Sequence, residues 1–355
     1  MKATDNVVVD SKEYVSDKGA AICKLVPKGT LLVSFKLTLG RLAFAGRDLF
    51  TNEAIAALSI FNERELSKEF LFYFLHFFDW VKAAENDVKL KGMTLNKAKL
   101  KEMPVHLPSP AEQQRIVGIL DEAFEDIATA NANTEKNLQN ARALFEGHLQ
   151  SVFTQRGEGW MEKRLVEVSR EFGRGKSKHR PRNEPKLYNG PYPFIQTGDV
   201  SNAAHWLTDY TQTYSELGLA QSRLWPRGTI CIAIVGATVG ETAILDFDAC
   251  FPDSVIGIVV NEQIADNEYV EFLLQSFKTL LKEKGKGTAR DNINLGTFEN
   301  QKFPFPSLKQ QRKIVATLND LSAETQRLTS IYERKVAALE ALKKSLLHQA
   351  FSGEL

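Results

Sequence analysis

Two long stretches of this chain carry the same pattern, in which apolar residues recur three or four positions apart. The first stretch runs from Val117 to Val152 and passes through the polar residues Asn131 and Thr134. The second runs from Ile314 to Leu346. This spacing predicts two long amphipathic helices, each with an apolar seam that needs a partner helix. The polar seam positions would set the register of such a pair at some cost in stability.

The two stretches open with similar residues, at an offset of 198 positions that places Gln113 opposite Gln311. Each opening combines proline and serine, at residues 108–110 and 306–307, which is typical of a helix N-terminus. A repeat that stays in step along two helices indicates a duplicated structural unit. The sequence therefore predicts that the two helices pair as a coiled coil. The alternative is that each helix packs only on its own globular domain.

Globular patterns fill the rest of the chain and predict four segments. We expect a first domain at 1–107, a first long helix at 108–153, a second domain at 154–305 and a second long helix at 306–355. Both domains contain a proline–glycine turn leading into a β-branched run, at residues 26–35 and 225–234. Further strands are expected at 40–43 and 54–60, and helices at 69–80 and 269–277. The fold class is mixed α/β (α+β) with antiparallel strands.

The two domains differ in length, because residues 155–214 have little counterpart in the first domain. We therefore expect the first domain to be shortened at its N-terminal side. Either its start lies upstream of Met1 or the domain is naturally short, and the sequence leaves both open.

Composition narrows the class of protein. Of the 355 residues 43% are hydrophobic, as expected of a folded chain. The net charge is only +1, so any contact with nucleic acid would have to come from local basic patches. The three cysteines, Cys23, Cys231 and Cys250, lack metal-ligand spacing and favour the reducing cytoplasm. No apolar run is long enough for a membrane span, and the first ten residues contain no signal-peptide core.

Two basic, glycine-containing loops are the candidates for contact with a phosphate backbone. Residues 174–186 contain six lysines and arginines against one glutamate. A second cluster lies between Lys282 and Arg290, with Gly285 and Gly287 inside it. Such loops can follow a line of phosphates. The alternative for each is an ordinary solvated surface loop.

Motifs for catalysis are incomplete. Residues 173–177 resemble the end of a P-loop, but its first glycine is missing and prolines follow where a helix should begin. Residues 189–192 resemble the tetrapeptide of amino-methyltransferases, but the second residue is wrong and no glycine-rich cofactor loop accompanies it. Asp253 and Glu262 lack the lysine of a nuclease site, and the six histidines show no ligand spacing. We therefore expect a chain that is not an enzyme by itself.

The repeated helix openings and several short motifs make the chain resemble the specificity subunit of type I restriction-modification systems. The resemblance rests on the two helix openings, on residues 193–200 (PFIQTGDV), on residues 292–294 (NIN) before 303–306 (FPFP), and on residues 348–355 (HQAFSGEL). It covers nearly the whole chain, and the shortened first domain is the one departure.

The resemblance implies two target recognition domains separated by two long conserved helices that form an antiparallel coiled coil. Each domain would read one half of a bipartite site on double-stranded DNA, and the helices would set the spacer and dock modification (methyltransferase) subunits. A restriction (translocase/nuclease) subunit would complete the complex. No cofactor is expected on this chain, since S-adenosylmethionine, ATP and Mg would bind the partner subunits. The alternative function is a coiled-coil protein–protein scaffold that does not read DNA.

The residues predicted to contact DNA combine the two basic loops with polar positions at equivalent places in the two domains. In the second domain they are Arg174, Lys176, Lys178, Arg180, Arg182, Thr197, Thr238, Lys284, Lys286, Arg290 and Asn292. In the first domain they are Lys36, Thr38, Lys89 and Lys91.

Overall fold

A computed structural model describes residues 6–36, 38–84, 88–89, 92–93, 95, 97–178, 181–285 and 295–355. The chain divides into two compact units. The first unit combines Met1–Asn137 with Ile331–Leu355, and the second unit is Leu138–Ser330. Both units therefore contain a part of each long helix. The four segments predicted above separate the long helices from the globular domains instead. That division into domains stays a prediction.

The globular part of the first unit is a small sheet covered by helices. Its strands have the order β1-β3-β2-β4, with β1 parallel to β3 and the other pairs antiparallel. The elements are β1 (Val7–Val8), α1 (Asp17–Ile22), β2 (Leu31–Ser34), β3 (Leu42–Ala45), β4 (Ile55–Leu58), α2 (Lys68–Phe77), α3 (Trp80–Ala83), β5 (Val88–Lys89), β6 (Gly92–Met93) and α4 (Lys97–Lys101).

Two predicted boundaries in this region were wrong. The strand expected at 40–43 begins only at Leu42, because Gly40 lies in a turn with φ +72°. The helix expected at 69–80 ends at Phe77, and extended backbone at Phe78 separates it from α3. The predicted helix itself is confirmed, and it belongs to the core, since every residue from Phe70 to Leu75 is buried.

The first long helix is α5 (Pro110–Thr154). Leu120, Ile127, Thr134 and Ala141 are buried and lie seven positions apart, which is the period of a coiled-coil seam. The spacing of three or four positions, followed from Val117, predicts that His148 lies on the seam; this was wrong, because His148 is exposed. Leu149 is buried in its place, because the heptad spacing gives way to an eight-residue step after Ala141.

The second unit has a larger globular part, with sheets in the orders β10-β14-β13-β16-β8 and β11-β9-β15-β12 and a β17-β7 pair. Its strands are β7 (Met161–Arg164), β8 (Ser169–Arg174), β9 (Tyr188–Phe194), β10 (Trp206–Leu207), β11 (Gln212–Tyr214), β12 (Leu224–Trp225), β13 (Ile230–Ala233), β14 (Thr242–Leu245), β15 (Ala249–Cys250), β16 (Val255–Val260) and β17 (Lys302–Phe305). Its helices are α6 (Thr197–Asn202), α7 (Glu216–Ala220), α8 (Asn267–Gly285) and α9 (Leu295–Glu299), with 3-10 turns at Leu165–Glu167, Pro185–Leu187 and Gly236–Thr238. The second long helix is α10 (Leu308–Ser352).

The long helices contact each other in the first unit and contribute to one core in the second unit. In the first unit, the Arg115 guanidinium near the start of α5 donates to the backbone oxygen of Leu355, 2.8 Å away, beyond the end of α10. Further along α5, the Lys343 ammonium of α10 lies 4.8 Å from the centre of the Phe124 ring. As one helix is followed forward the other runs backward, so the pair is antiparallel, as predicted. In the second unit, Leu149 of α5 and Leu318 of α10 belong to one buried core.

The two units repeat one turn and one strand order. Gly29 and Gly228 both adopt φ +83°, a conformation that favours glycine, at the turn that enters β2 or β13. The amide of Gly29 donates to Ala45 O at 2.6 Å, and that of Gly228 donates to Leu245 O at 2.8 Å. The sequence pattern that the two domains share therefore corresponds to a repeated structure.

Candidate nucleic-acid interface

The basic segment, defined here as residues 174–178, presents its cations outward. Arg174, Lys176 and Lys178 are exposed, whereas Gly175 and Ser177 between them are buried. This alternation is what extended backbone produces, because successive side chains point to opposite sides. The small residues face the protein, and the three positive side chains share the solvent side.

Backbone contacts hold the basic segment against the connection between β15 and β16. The Gly175 amide donates to Val255 O at 2.9 Å, and the Lys176 amide donates to Phe251 O at 3.0 Å. A Cβ atom on Gly175 would lie only 2.2 Å from Phe251 O, so this close approach requires glycine. The segment is therefore fixed by its backbone, and its cationic side chains take no part in that attachment.

Two further arginines near the segment are already paired with acidic residues. Arg182 lies 2.8 Å from the Asp253 carboxylate, and its backbone oxygen accepts a 2.6 Å hydrogen bond from Tyr188 Oη. Arg223 lies over the Trp225 ring, 4.1 Å from its centre, and forms an ion pair with Glu171. These pairs lower the local positive charge, so Arg174, Lys176 and Lys178 dominate the outward charge of this surface.

The arrangement suits an extended polyanion. Three cations on one side of a fixed extended backbone can each meet a phosphate, and their positions do not depend on ordering a loop at the moment of binding. Residues 179 and 180 lie outside the described residues, so the prediction for Arg180 is not addressed by the structure.

The other candidates of the second unit occupy different places. Thr197 is the first residue of α6 and is half-buried, and Thr238 lies in the 3-10 turn, where its hydroxyl donates to Val235 O at 3.1 Å. Lys284 lies in the last turn of α8. Lys286, Arg290 and Asn292 lie outside the described residues.

In the first unit, Lys36 is half-buried and its ammonium lies 5.8 Å from the centre of the Phe35 ring. Thr38 is exposed in the bend between β2 and β3. Lys89 ends β5, and Lys91 lies outside the described residues. Among the described residues of the second unit, the structure brings Arg174, Lys176 and Lys178 together as one surface, with Arg182 nearby and paired with Asp253.

One charged cluster was not predicted from the sequence. His205 lies between two glutamates of α8, with Nδ1 2.6 Å from Glu271 and Nε2 3.1 Å from Glu268. Thr242 Oγ1 donates to Glu271 at 2.7 Å, and Asn319 of α10 donates to Glu268 at 2.8 Å. No sequence signal marks this cluster, because more than sixty positions separate the histidine from its glutamates.

Burial lowers the pKa of His205, but the hydrogen bonds to Glu271 and Glu268 outweigh it, so the net pKa lies above the ordinary histidine value. The cluster joins the residue just before β10, and Thr242 of β14, to α8 and α10, so its role is to hold these elements together. Among the described residues, no group of histidine, cysteine, aspartate and glutamate has the geometry to hold a metal ion. No helix of the described part of the chain has the length and apolar character to cross a membrane.

Comparison with known proteins identifies relatives over most of the chain. The family model for the type I restriction modification DNA specificity domain matches residues 4–140 and 157–335. The MjaIX specificity subunit of Methanocaldococcus jannaschii, a type I restriction enzyme subunit, is 24% identical over 96% of this chain and 81% of its own length. The EcoBI specificity subunit of Escherichia coli is 27% identical over 45% of this chain and 35% of its own length.

Solved structures share the fold. A chain from work on complex assembly and conformational transition of the type I R-M system matches with a TM-score of 0.77 at 19% identity, over 94% of this chain and 84% of that one. The HsdS subunit from Thermoanaerobacter tengcongensis matches with a TM-score of 0.58, also at 19% identity, over 94% and 83% of the two chains. With two family-model matches that together span most of its length, the chain belongs to the type I restriction modification DNA specificity domain family.

Proposed function

We propose that this chain is the noncatalytic specificity subunit of a type I restriction-modification complex and that it binds double-stranded DNA in a sequence-specific way. The globular part of each unit would read one half of a bipartite site. The observation that carries the proposal beyond family membership is the basic segment, in which buried Gly175 and Ser177 alternate with exposed Arg174, Lys176 and Lys178.

The two long helices supply the spacing in this proposal. A continuous helix such as α5, with 45 residues, has a length of about 68 Å at roughly 1.5 Å per residue. In this proposal the hydrogen-bonded backbone of the paired helices α5 and α10 would set the separation of the two half-sites. The exposed sides of these helices are available to modification subunits, which would carry S-adenosylmethionine, and a restriction subunit would bring ATP and Mg.

The contact with phosphate is tested by neutralising Arg174, Lys176 and Lys178 together to glutamine. We expect weaker binding to duplex DNA and a shallower dependence of log K on log salt, by about 0.9 for each phosphate contact that is lost. Fluorescence anisotropy of a labelled duplex at several salt concentrations measures both quantities, with the modification subunit present and absent.

A matched control removes the same amount of charge elsewhere. Lys309, Arg312 and Lys313 are exposed in the first turns of α10, and their triple glutamine variant has the same net charge. We expect its salt dependence to stay close to that of the original chain. Equal losses in the two variants would show a general effect of charge, and unchanged affinity in the first variant would exclude the basic segment as a DNA contact.

The alternative function, a protein–protein scaffold without a role in reading DNA, makes a different prediction in the same experiment. A scaffold would bind modification subunits through α5 and α10 and would show no salt-dependent affinity for duplex DNA. The fixed outward cations of the basic segment favour the specificity subunit.

A further inference from the structure

Two exposed glutamines of the second unit are joined through their side chains. Gln196 lies two residues after the end of β9, and Gln212 begins β11, which pairs with β9. Gln196 Nε2 donates to Gln212 Oε1 at 2.7 Å, and both residues are exposed. These two side chains are called the amide pair below. They border an open polar cavity of about 200 Å³, which is lined by Tyr188, Asn189, Tyr210, Thr211, Gln212 and Thr213.

One carboxylate holds both ends of the amide pair in place. Asp199 Oδ2 accepts from the backbone amide of Gln196 at 2.7 Å, and Asp199 Oδ1 accepts from Thr211 Oγ1 at 3.2 Å. Thr211 directly precedes Gln212, so the same side chain fixes the backbone beside each glutamine. Groups that are fixed before a ligand arrives lose less conformational entropy when they bind it. The amide pair is therefore preorganised.

The hydrogen bond between the two amides decides what the pair can still bind. A side-chain amide has one oxygen that accepts and one NH2 group that donates. Because Gln196 donates to Gln212, the oxygen of Gln196 and the NH2 group of Gln212 are left for a partner. Turning both amides over exchanges these roles and gives the same pattern. The pair therefore presents one acceptor beside one donor.

Among the base edges in the major groove of DNA, this pattern fits adenine. Adenine offers N7 as an acceptor and its N6 amino group as a donor, whereas guanine offers two acceptors, N7 and O6. Cytosine offers only a donor, and thymine offers only an acceptor. A single base that engages both groups of the amide pair is therefore adenine.

The amide pair lies at a suitable distance from the basic segment. Gln212 is opposite Phe194 of β9, and Phe194 is opposite Cys250 of β15. Neighbouring strands are about 4.8 Å apart, so Gln212 lies about 10 Å from Cys250. Phe251, the next residue, accepts from the Lys176 amide. Since the major groove is about 12 Å wide, a phosphate at its wall can meet Lys176 while a base inside the groove meets the amide pair.

We propose that Gln196 and Gln212 are specificity-determining residues that read one adenine in the half-site bound by the second unit. The Gln212 NH2 group donates to adenine N7, and the Gln196 oxygen accepts from the N6 amino group. Phosphate contacts of the basic segment position the unit on the duplex but carry no sequence information, so the amide pair supplies part of the readout. The assignment rests on the proposed function, because it requires a chain that binds duplex DNA at a defined sequence.

Selection of random duplexes by the chain with its modification subunit gives the first test. Gln212→Leu is expected to abolish the preference for one A·T pair in one block and to leave the other positions unchanged. Gln263→Leu, at another exposed glutamine of the same unit, is the matched control and should keep the whole site. A site that is unchanged in Gln212→Leu would overturn the adenine readout and leave the proposed function intact. Failure of the original chain to enrich any sequence would overturn both.

Modified DNA gives a second test, which uses the unsubstituted chain and so holds even if Gln212→Leu does not fold. 7-Deazaadenine has a C–H group in place of N7 and still pairs with thymine. Replacing the adenines of the half-site one at a time should reveal a position at which the original chain binds about tenfold more weakly. The Gln212→Leu variant should show no such loss at that position. No loss at any adenine, or equal losses in the two chains at every adenine, would overturn the assignment.

Discussion

At the scale of single residues, the most informative feature is a histidine that shares its two ring nitrogens between two carboxylates. The His205 side chain is 12% exposed and that of Glu271 is fully buried, so the charges of this cluster are held largely out of water. Breaking such a pair by removing one partner is costly, because the other charge remains buried without compensation. His205 therefore contributes to the second unit mainly in its protonated form.

The pH dependence of stability follows from this. Because the pKa of His205 in the folded chain is raised above its unfolded value of about 6.5, its contribution is fully present below that value and is lost as the pH rises through the folded pKa. We predict that His205→Gln removes this pH-dependent contribution to the unfolding free energy. Urea unfolding of both chains at a series of pH values measures the contribution. His148, which is exposed, provides the control substitution His148→Gln. Identical pH profiles for His205→Gln and the original chain would contradict the assignment.

At the scale of elements, the repeated helix openings are explained by a buried glutamine. Gln113 Nε2 donates to Glu65 O at 2.6 Å and to Pro108 O at 2.9 Å, while its Oε1 accepts from the Ser67 amide at 2.9 Å. Gln311 makes the equivalent bonds to Pro306 O at 2.9 Å and from the Asp266 amide at 2.8 Å. One amide side chain thus joins the start of each long helix to the loop that precedes a core helix.

We predict that Gln113→Leu lowers the unfolding free energy by about 3 kcal/mol, because it leaves buried backbone groups without partners. Gln114→Leu, at the exposed neighbouring position, is the control and should change stability by less than about 0.5 kcal/mol. Denaturant unfolding of the two variants gives the comparison. Equal stabilities would show that the glutamine does not anchor the helix.

Some features of these elements could be predicted from the sequence and others could not. The long helices and their pairing could be predicted, because a heptad pattern repeated over many turns leaves few alternative structures. The role of Gln113 was not, since a glutamine at a helix start is usually solvated, and its burial depends on backbone groups of Glu65 and Ser67. The spacing of three or four positions predicts that His148 and Leu342 lie on the two seams, but both are exposed, because the helical phase drifts over so long a stretch.

At the scale of the whole molecule, the duplicated pattern predicted two related globular parts, and the structure shows which elements of the second part have counterparts in the first. The unmatched stretch ends near residue 205 and not at Tyr214, because β10 and α7 have counterparts in β1 and α1. Of the candidate site, the basic segment was predictable from its charge. Its alternation of buried and exposed residues was not, since it depends on contacts with Phe251 and Val255.

The central proposal is that the globular parts of the two units read two separated blocks of duplex DNA. Selection of random duplexes by the purified chain with its modification subunit, followed by sequencing, tests it most directly. We predict an enriched site of two defined blocks with a spacer of constant length, and loss of preference in one block alone when Arg174, Lys176 and Lys178 are neutralised. Enrichment of a single continuous block, or of no sequence at all, would contradict the account.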